Sequence, residues 1–191
     1  MAHLSILGTG NMGQAISAVA AKGGHTVQLL GADDVATPVT GDIVVLAVPY
    51  PAIPEVLADR GESLAGKIVV DITNPLNFET FDSLVVPADS SAAAQIATAL
   101  PQSSVVKAFN TTFAATLAAG TVGPLTTTVL IAGDDADAKA TLADIFTSGG
   151  LNAIDAGALK RARELEAVGF LQLTLAANEK VSWTGGFGLV A

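Results

Sequence analysis

Gly8-Thr9-Gly10-Asn11-Met12-Gly13 stands between the apolar run His3-Leu4-Ser5-Ile6-Leu7 and a helical stretch from Gln14 to Lys22. A glycine turn therefore joins a strand to a helix. Gly8 permits the tight turn, Gly10 leaves the backbone open to a pyrophosphate, and Gly13 allows close packing of helix on strand. A diphosphate would rest on free N–H groups at the positive end of the helix dipole, together with Thr9, Asn11 and Met12 of the turn. The hexapeptide alone is common, but both flanks fit, and Ala15, Ile16, Val19 and Ala20 supply an apolar stripe at helical spacing.

Outward from this turn, strand-like runs recur at Thr26 to Leu30, Ile43 to Val48, Ile68 to Ile72, Val105 to Phe109, Thr128 to Ala132 and Asn152 to Ile154. Several are rich in Val and Ile without strict alternation, the pattern of strands covered on both faces. Helical stretches lie between them at Ala52 to Leu57, Ser91 to Leu100 and Ala136 to Ser148, with a longer one at Leu159 to Ala177. The alternation predicts an α/β fold, a doubly wound parallel sheet of Rossmann-like type with right-handed crossovers. Only Gly31 to Gly41 separate the second run from the third, too few for a normal crossover helix. The expected consequence is a fold shortened after strand 2, with strand 2 at the edge, order 2-1-3-4-5 and an open adenine pocket. Ten extended residues span roughly 33 Å, enough to pass over strand 1.

A chain of 191 residues, 50% hydrophobic and 14% charged, supports one substantial core. The division expected is a dinucleotide-binding domain over 1–157 and a C-terminal helix and tail over 158–191. Leu159, Ala162, Leu165, Ala167, Val168, Leu171 and Leu175 make that helix apolar nearly all round, so it packs on the domain or on a partner subunit. The tail Trp183-Thr184-Gly185-Gly186-Phe187-Gly188-Leu189-Val190-Ala191 is too apolar for a solvated linker, and it is expected to dock on a partner or at the substrate cleft. A homodimer is the expected assembly. The net charge of −9 opposes long-range attraction to nucleic acid or anionic membranes, so backbone amides must hold any phosphate. The sequence has no long apolar span and no signal-peptide pattern at Met1, which leads to the expectation of a cytoplasmic protein. Cys is absent and only His3 and His25 are present, so no metal site is expected.

Asp33 lies twenty positions after Gly13, where a carboxylate can accept from the adenosine ribose hydroxyls and repel a 2′-phosphate. It can equally form a solvated turn with Asp34. No Arg or Lys occurs between Gly24 and Arg60 to clamp such a phosphate. The strand ends carry Val48-Pro49-Tyr50-Pro51, Thr73-Asn74-Pro75-Leu76 and Asn110-Thr111-Thr112, which together could floor a nicotinamide pocket; each taken singly is an ordinary turn. Thr111, Thr112 and Arg163 are candidates for the substrate side, Arg163 only if it turns inward. Acid/base equipment is sparse. Asp71 has no evident basic partner, and His25 suits a turn hydrogen bond. Lys107 suits a snorkelling edge position, and Lys160 to Glu166 suit a solvated charged face. No catalytic acid or base is assigned, because hydride transfer between two bound rings needs alignment more than a proton relay.

Gly8 to Gly13, Ala47-Val48-Pro49, Val69-Val70-Asp71-Ile72-Thr73-Asn74-Pro75, Val106-Lys107-Ala108-Phe109-Asn110-Thr111 and Asp155-Ala156-Gly157-Ala158-Leu159, followed by Arg163 and Glu166, occur in this order. The set resembles the NADP oxidoreductase family that uses 8-hydroxy-5-deazaflavin, and the cytoplasmic reductase domains of STEAP metalloreductases. The resemblance implies pyrophosphate contacts from Thr9 to Gly13 and a nicotinamide near Pro49, Asn74 and Asn110. It also implies hydride passing to a flavin-like ring stacked on the nicotinamide. The chain departs from that family at Ala32-Asp33, where a small hydroxyl residue and a basic residue typically bind the 2′-phosphate. NADP follows from the resemblance, whereas Asp33 favours NAD. A β-hydroxyacid dehydrogenase or pyrroline carboxylate reductase would share the Asn-Met-Gly turn but needs a large further helical domain. The competing class is a non-catalytic NAD(P)-binding redox sensor or regulatory module.

Overall fold

The computed structural model describes residues 1–190. In chain order the elements are β1 (His3–Leu7), α1 (Asn11–Lys22), β2 (Thr26–Leu30), β3 (Ile43–Leu46), α2 (Ile53–Arg60), β4 (Ile68–Asp71), α3 (Ala92–Ala99), β5 (Ser104–Lys107), α4 (Ala114–Ala119), β6 (Thr121–Val122), β7 (Leu125–Thr126), β8 (Thr128–Gly133), α5 (Ala136–Ser148), β9 (Asn152–Gly157) and α6 (Ala162–Ala177). Seven strands form one sheet in the order β2-β1-β3-β4-β5-β8-β9, and β6 and β7 form a small hairpin. The sequence order 2-1-3-4-5 is the observed one, with β2 at the edge.

The absence of strict alternation has its cause in two cores. Val45, Val70 and Val106 face one side, against Ile16 and Val19 of α1, Leu117 of α4 and Leu142 and Phe146 of α5. Val44, Val69 and Val105 face the other, against Ile53 of α2, Ile96 of α3, Leu159 of the 3₁₀ turn before α6 and Ala162 at the start of α6. Both faces of the central strands are covered, so each position can be apolar.

Between β2 and β3 the chain makes only a 3₁₀ turn, Ala32–Asp34, as the short spacing requires. Its return is held by side chains. Ser5 Oγ donates to Gln28 Oε1 (2.6 Å) and accepts from Gly41 N–H (2.8 Å), and Gln28 Nε2 donates to the Pro38 carbonyl (2.9 Å).

One strand runs against expectation, because β8 pairs antiparallel with β5. The connection between them explains it. A six-residue α4 rises only about 9 Å, less than the roughly 13 Å length of a four-residue strand such as β5. It cannot carry the chain back to the start of the sheet, so the hairpin turns it into β8 from the other end. The thirteen-residue α5 is long enough, and β9 accordingly pairs parallel to β8.

Candidate functional site

Gly8 has φ +122°, and a Cβ there would collide with the Ala47 carbonyl of the loop after β3. A Cβ on Gly13 would strike the carbonyl of Gly8 itself. Gly10 differs, since nothing lies within 4 Å of where its Cβ would be. It precedes α1, whose first internal bond runs from Gln14 N–H to the Gly10 carbonyl (3.0 Å). The helix therefore starts three residues before the stretch read from sequence. No side chain caps this end and no acidic residue occupies its first turn, which leaves the amides of Asn11, Met12 and Gly13 available to an anion.

On one side of this turn a cavity of about 180 Å³ is lined by Gly8, Gly31, Ala32, Val48, Glu55 and Arg60, among others. Asp34, not Asp33, is built into the turn here, its carboxylate accepting from Gly31 N–H (2.8 Å). Asp33 is exposed. The local sequence holds no cation, but tertiary folding brings one from α2. Arg60 donates to the carbonyls of Thr37 (2.9 Å) and Asp34, pinning the short crossover to α2.

On the other side lies a larger cleft of about 420 Å³ at the carboxyl ends of β1, β4 and β5, with Met12, Ile72, Asn74, Asn110, Phe113 and Trp183 among its lining. The lining also includes Thr112 but no titratable side chain. Asn74 and Asn110 are cross-linked. Asn74 Nδ2 donates to the Asn110 carbonyl (2.8 Å), and Asn110 Nδ2 donates to Asn74 Oδ1 (2.9 Å) and to the Leu165 carbonyl of α6 (2.8 Å). Both amide hydrogens of Asn110 face acceptors, so a flipped amide would set oxygen against oxygen. Its Oδ1, buried and without a partner, is an acceptor in need of a donor. Gly169 lets α6 come this close, since a Cβ there would meet both asparagines. The turn itself rests on Phe109, a non-glycine residue at φ +64°. That conformation costs of order 1–3 kcal/mol. Complete burial and an edge-to-face contact with Phe146 (4.6 Å, 76°) hold it in place.

Beneath the loops sits a charged cluster. Lys107 Nζ donates to Asp71 Oδ2 (2.8 Å), Glu166 Oε1 (2.8 Å) and the Thr73 carbonyl (2.6 Å), and all three charged residues are fully buried. Asp71 Oδ1 accepts from Thr73 N–H (2.8 Å), and Glu166 Oε2 from Ala92 N–H (3.0 Å) at the start of α3. Burial pushes the Glu166 carboxyl above its ordinary range, against the lowering pull of Lys107. The reading of Lys107 as a snorkelling edge residue, of Glu166 as part of a solvated face and of Asp71 as unpartnered is corrected here. β5 is central, and its last residue points into the layer between sheet and α6. Tyr50 is linked to the same region, its hydroxyl donating to Gln95 Oε1 of α3 (2.6 Å). Partial burial, then the Glu166 and Asp71 carboxylates, raise its pKa.

Of the other sequence candidates, Thr9 and Pro49 are exposed, Val48 is half-buried, and Pro75 and Thr111 are buried. Arg163 does not turn inward; it is exposed on α6. His25 forms the expected turn contacts, Nδ1 accepting from Ala2 N–H (3.1 Å). The tail docks on its own chain, where Phe187 N–H donates to Gln172 Oε1 (3.0 Å) and Trp183 reaches the cleft. No helix among the described residues is long and apolar enough to cross a membrane, and none of their His, Asp and Glu side chains cluster to hold a metal ion.

The chain is 32% identical over 166 residues to an F420-dependent NADP reductase of Methanocaldococcus jannaschii, spanning 85% of this chain and 74% of that one. It belongs to the coenzyme F420-dependent NADP oxidoreductase family. The family model described as NADP oxidoreductase, coenzyme F420-dependent, matches residues 31–75. The crystal structure of a putative F420-dependent NADP-reductase from Arthrobacter sp. FB24 superposes with a TM-score of 0.83 at 27% identity, covering 98% of this chain and 99% of that one. Metalloreductase STEAP3 of Rattus norvegicus is 38% identical over 112 residues, 59% of this chain and 22% of that protein. This member of the family is an oxidoreductase of Rossmann-like fold.

Sequence reasoning missed Arg60, Gly169, Phe113 and the joint role of Lys107 and Glu166. Each acts across more than twenty residues of chain, where no local pattern reports it. A Lys amid the Val-Val-Lys-Ala-Phe run was nonetheless visible as a charge inside a strand, and a buried charge demands a partner.

Proposed function

We propose that this chain transfers hydride between NAD(P)H and an acceptor of the flavin or deazaflavin type. The observation that carries the reading is an uncapped helix start opening beside an apolar cleft lined without any titratable side chain. Oxidation of an alcohol, or reduction of a ketone or imine, needs a group to take or give a proton, and this cleft offers none. A tricyclic ring that accepts hydride needs alignment and exclusion of water instead.

The residues fit a nicotinamide dinucleotide on two counts. Gly10 leaves open space over free amides, suited to a diphosphate, and Asn110 Oδ1 lacks the donor that a carboxamide would present. When bound, NAD(P)H supplies a hydride from its nicotinamide ring. For the chain's part, Gly8 to Gly13 grip the diphosphate through backbone N–H groups. Ala32 and Asp33 border the adenosine, and Val48, Pro49 and Tyr50 close the approach from β3. Asn74, Pro75 and Asn110 orient the ring, with Thr111 and Thr112 beside the acceptor. The relative named an F420-dependent NADP reductase supports both the acceptor class and the nicotinamide nucleotide.

For the nucleotide, the balance at the adenosine end is acidic. Asp33 is exposed there, Glu55 and Asp59 line the cavity, and Arg60 is committed to backbone carbonyls. NADH therefore binds at least as well as NADPH in this reading, and Asp33→Arg shifts preference toward NADPH by about tenfold, an ion-pair effect of roughly 1.4 kcal/mol. Parallel titrations of both nucleotides check this; a strong native preference for NADPH would refute the placement of Asp33. Exposed Val168 and Leu171 on α6 are where a homodimer contact would form, which sedimentation velocity tests. The activity itself is tested by following nucleotide oxidation with FMN or 8-hydroxy-5-deazaflavin. Acceptor-dependent turnover is expected. Tight nucleotide binding with no turnover on either acceptor would favour a sensor and contradict the reading.

A further inference from the structure

Trp183 is the chain's single tryptophan. It follows α6 in a tail that is held from both sides. Lys180 N–H bonds back to the Leu175 carbonyl (2.8 Å), Gly185 N–H to the Ser182 carbonyl (2.9 Å) and Phe187 N–H to Gln172 Oε1 (3.0 Å). Gly188 lies against the Leu125 side chain of β7. So anchored, the indole packs tilted on Phe113, ring centroids 5.1 Å apart and planes at 51°. Phe113 is buried, yet Trp183 is 51% exposed at the cleft. A fixed indole with half its surface uncovered beside an apolar cleft is an unused aromatic wall.

We propose that Trp183, backed by Phe113, is the wall on which the acceptor ring lies, and that it selects planar tricyclic acceptors of the isoalloxazine and deazaflavin class. This rests on the hydride-transfer reading above. The cleft's lining includes Met12 at the start of α1 and Leu173 of α6, so it offers apolar contacts continuous with the diphosphate turn. Its only polar side chains are Asn11, Asn74, Asn110 and Thr112, which suit carbonyl and N–H groups at a ring edge rather than a charge. Indole presents the widest π-face of any side chain, so its contact area grows with the size of the ring it meets. A small aldehyde or imine would leave most of that face in water. An extended tricycle covers it.

Because the indole is single, its fluorescence reports this wall without labelling. The full chain, saturated with oxidised nicotinamide nucleotide, is titrated with riboflavin and, separately, with 8-hydroxy-5-deazaflavin, corrected for absorption. Saturable quenching is expected from one or both, and its relative strength distinguishes the two sources. Trp183→Ala should raise the acceptor KM roughly three- to tenfold, the worth of one aromatic stack, while the nucleotide KM stays put. Trp183→Phe should recover most of the loss, and it serves in place of the alanine variant should that fail to fold. Quenching that never saturates, or an acceptor KM unmoved by Trp183→Ala, overturns the proposal and leaves hydride transfer standing. Altered sedimentation with an unmoved acceptor KM also overturns it, assigning the indole to a contact between copies. Absence of acceptor-dependent turnover in the unmutated protein would instead strike the functional reading itself.

Discussion

Gly10 and Gly13 read alike in the hexapeptide and differ in what a methyl group would meet. At Gly10 it enters open space with an ordinary φ of −70°, and at Gly13 it drives into the Gly8 carbonyl. Gly10→Ala should therefore leave the melting temperature within the effect of about 0.5 kcal/mol expected at a surface position, while nucleotide affinity falls tenfold or more. Gly13→Ala should cost about 1–3 kcal/mol of stability through overpacking. Thermal melts beside nucleotide titrations of the two variants check the pair; equal loss of stability at both positions would contradict the assignment of open space to the ligand. The glycines were legible because each does its work within six residues. The charged cluster was not. Glu166 and Lys107 stand 59 positions apart, and a periodic pattern cannot report a partner at that range. The burial of Glu166, which outweighs the lowering pull of Lys107, has a pH consequence. The Glu166 pKa is raised above its ordinary value of 4.5, so its stabilising contribution is complete below that value and is lost as pH rises through the raised folded value. Glu166→Gln keeps an oxygen for Lys107 and removes the titration. The stability difference between variant and unmutated protein should shift in the variant's favour as pH rises from 4.5 toward neutrality, read from melting temperature against pH. Parallel curves would contradict it.

Among the elements, α6 carries the most consequence for the site. Leu165 offers its carbonyl to Asn110, Glu166 caps the start of α3 and holds Lys107, and Gly169 seats against the asparagine pair. One helix thus braces the loops after β4 and β5. Gly169→Ala should force α6 away from those loops, costing about 1–3 kcal/mol and lowering turnover several-fold, with diphosphate binding at α1 retained. Denaturant melts, kcat and nucleotide affinity measured together test this; loss of affinity in step with kcat would mean that α6 supports α1 instead. In sequence the helix was plain from its length and apolar residues, but which residues faced inward was not, because it is apolar nearly all round. The antiparallel β8 was hidden for a different reason. The parallel expectation followed from the recurring strand-like runs, with no helical stretch read between Phe109 and Thr128, and the Ala-rich stretch near residue 115 yields only six helical residues before Gly120 at φ +71° ends it.

Across the molecule, strand order and edge were readable because they follow from segment lengths. Twelve residues between β2 and β3 leave no room for a crossover helix, and Val- and Ile-rich runs require cover on both faces. The cleft was only half readable. Its asparagines announced themselves at strand ends, whereas Phe113, Leu173 and Trp183 are apolar residues that look like core until the tail folds back on α6. What joins the two halves in the proposed function is direct passage of hydride in a cleft lined without acid or base. The measurement that tests this most directly uses nicotinamide nucleotide deuterated at the transferring carbon, with 8-hydroxy-5-deazaflavin as acceptor in ordinary water and mass spectrometry of the reduced ring. Deuterium should appear on the acceptor carbon in proportion to turnover; a reduced ring carrying hydrogen from solvent, or no reduced ring at all, would contradict it.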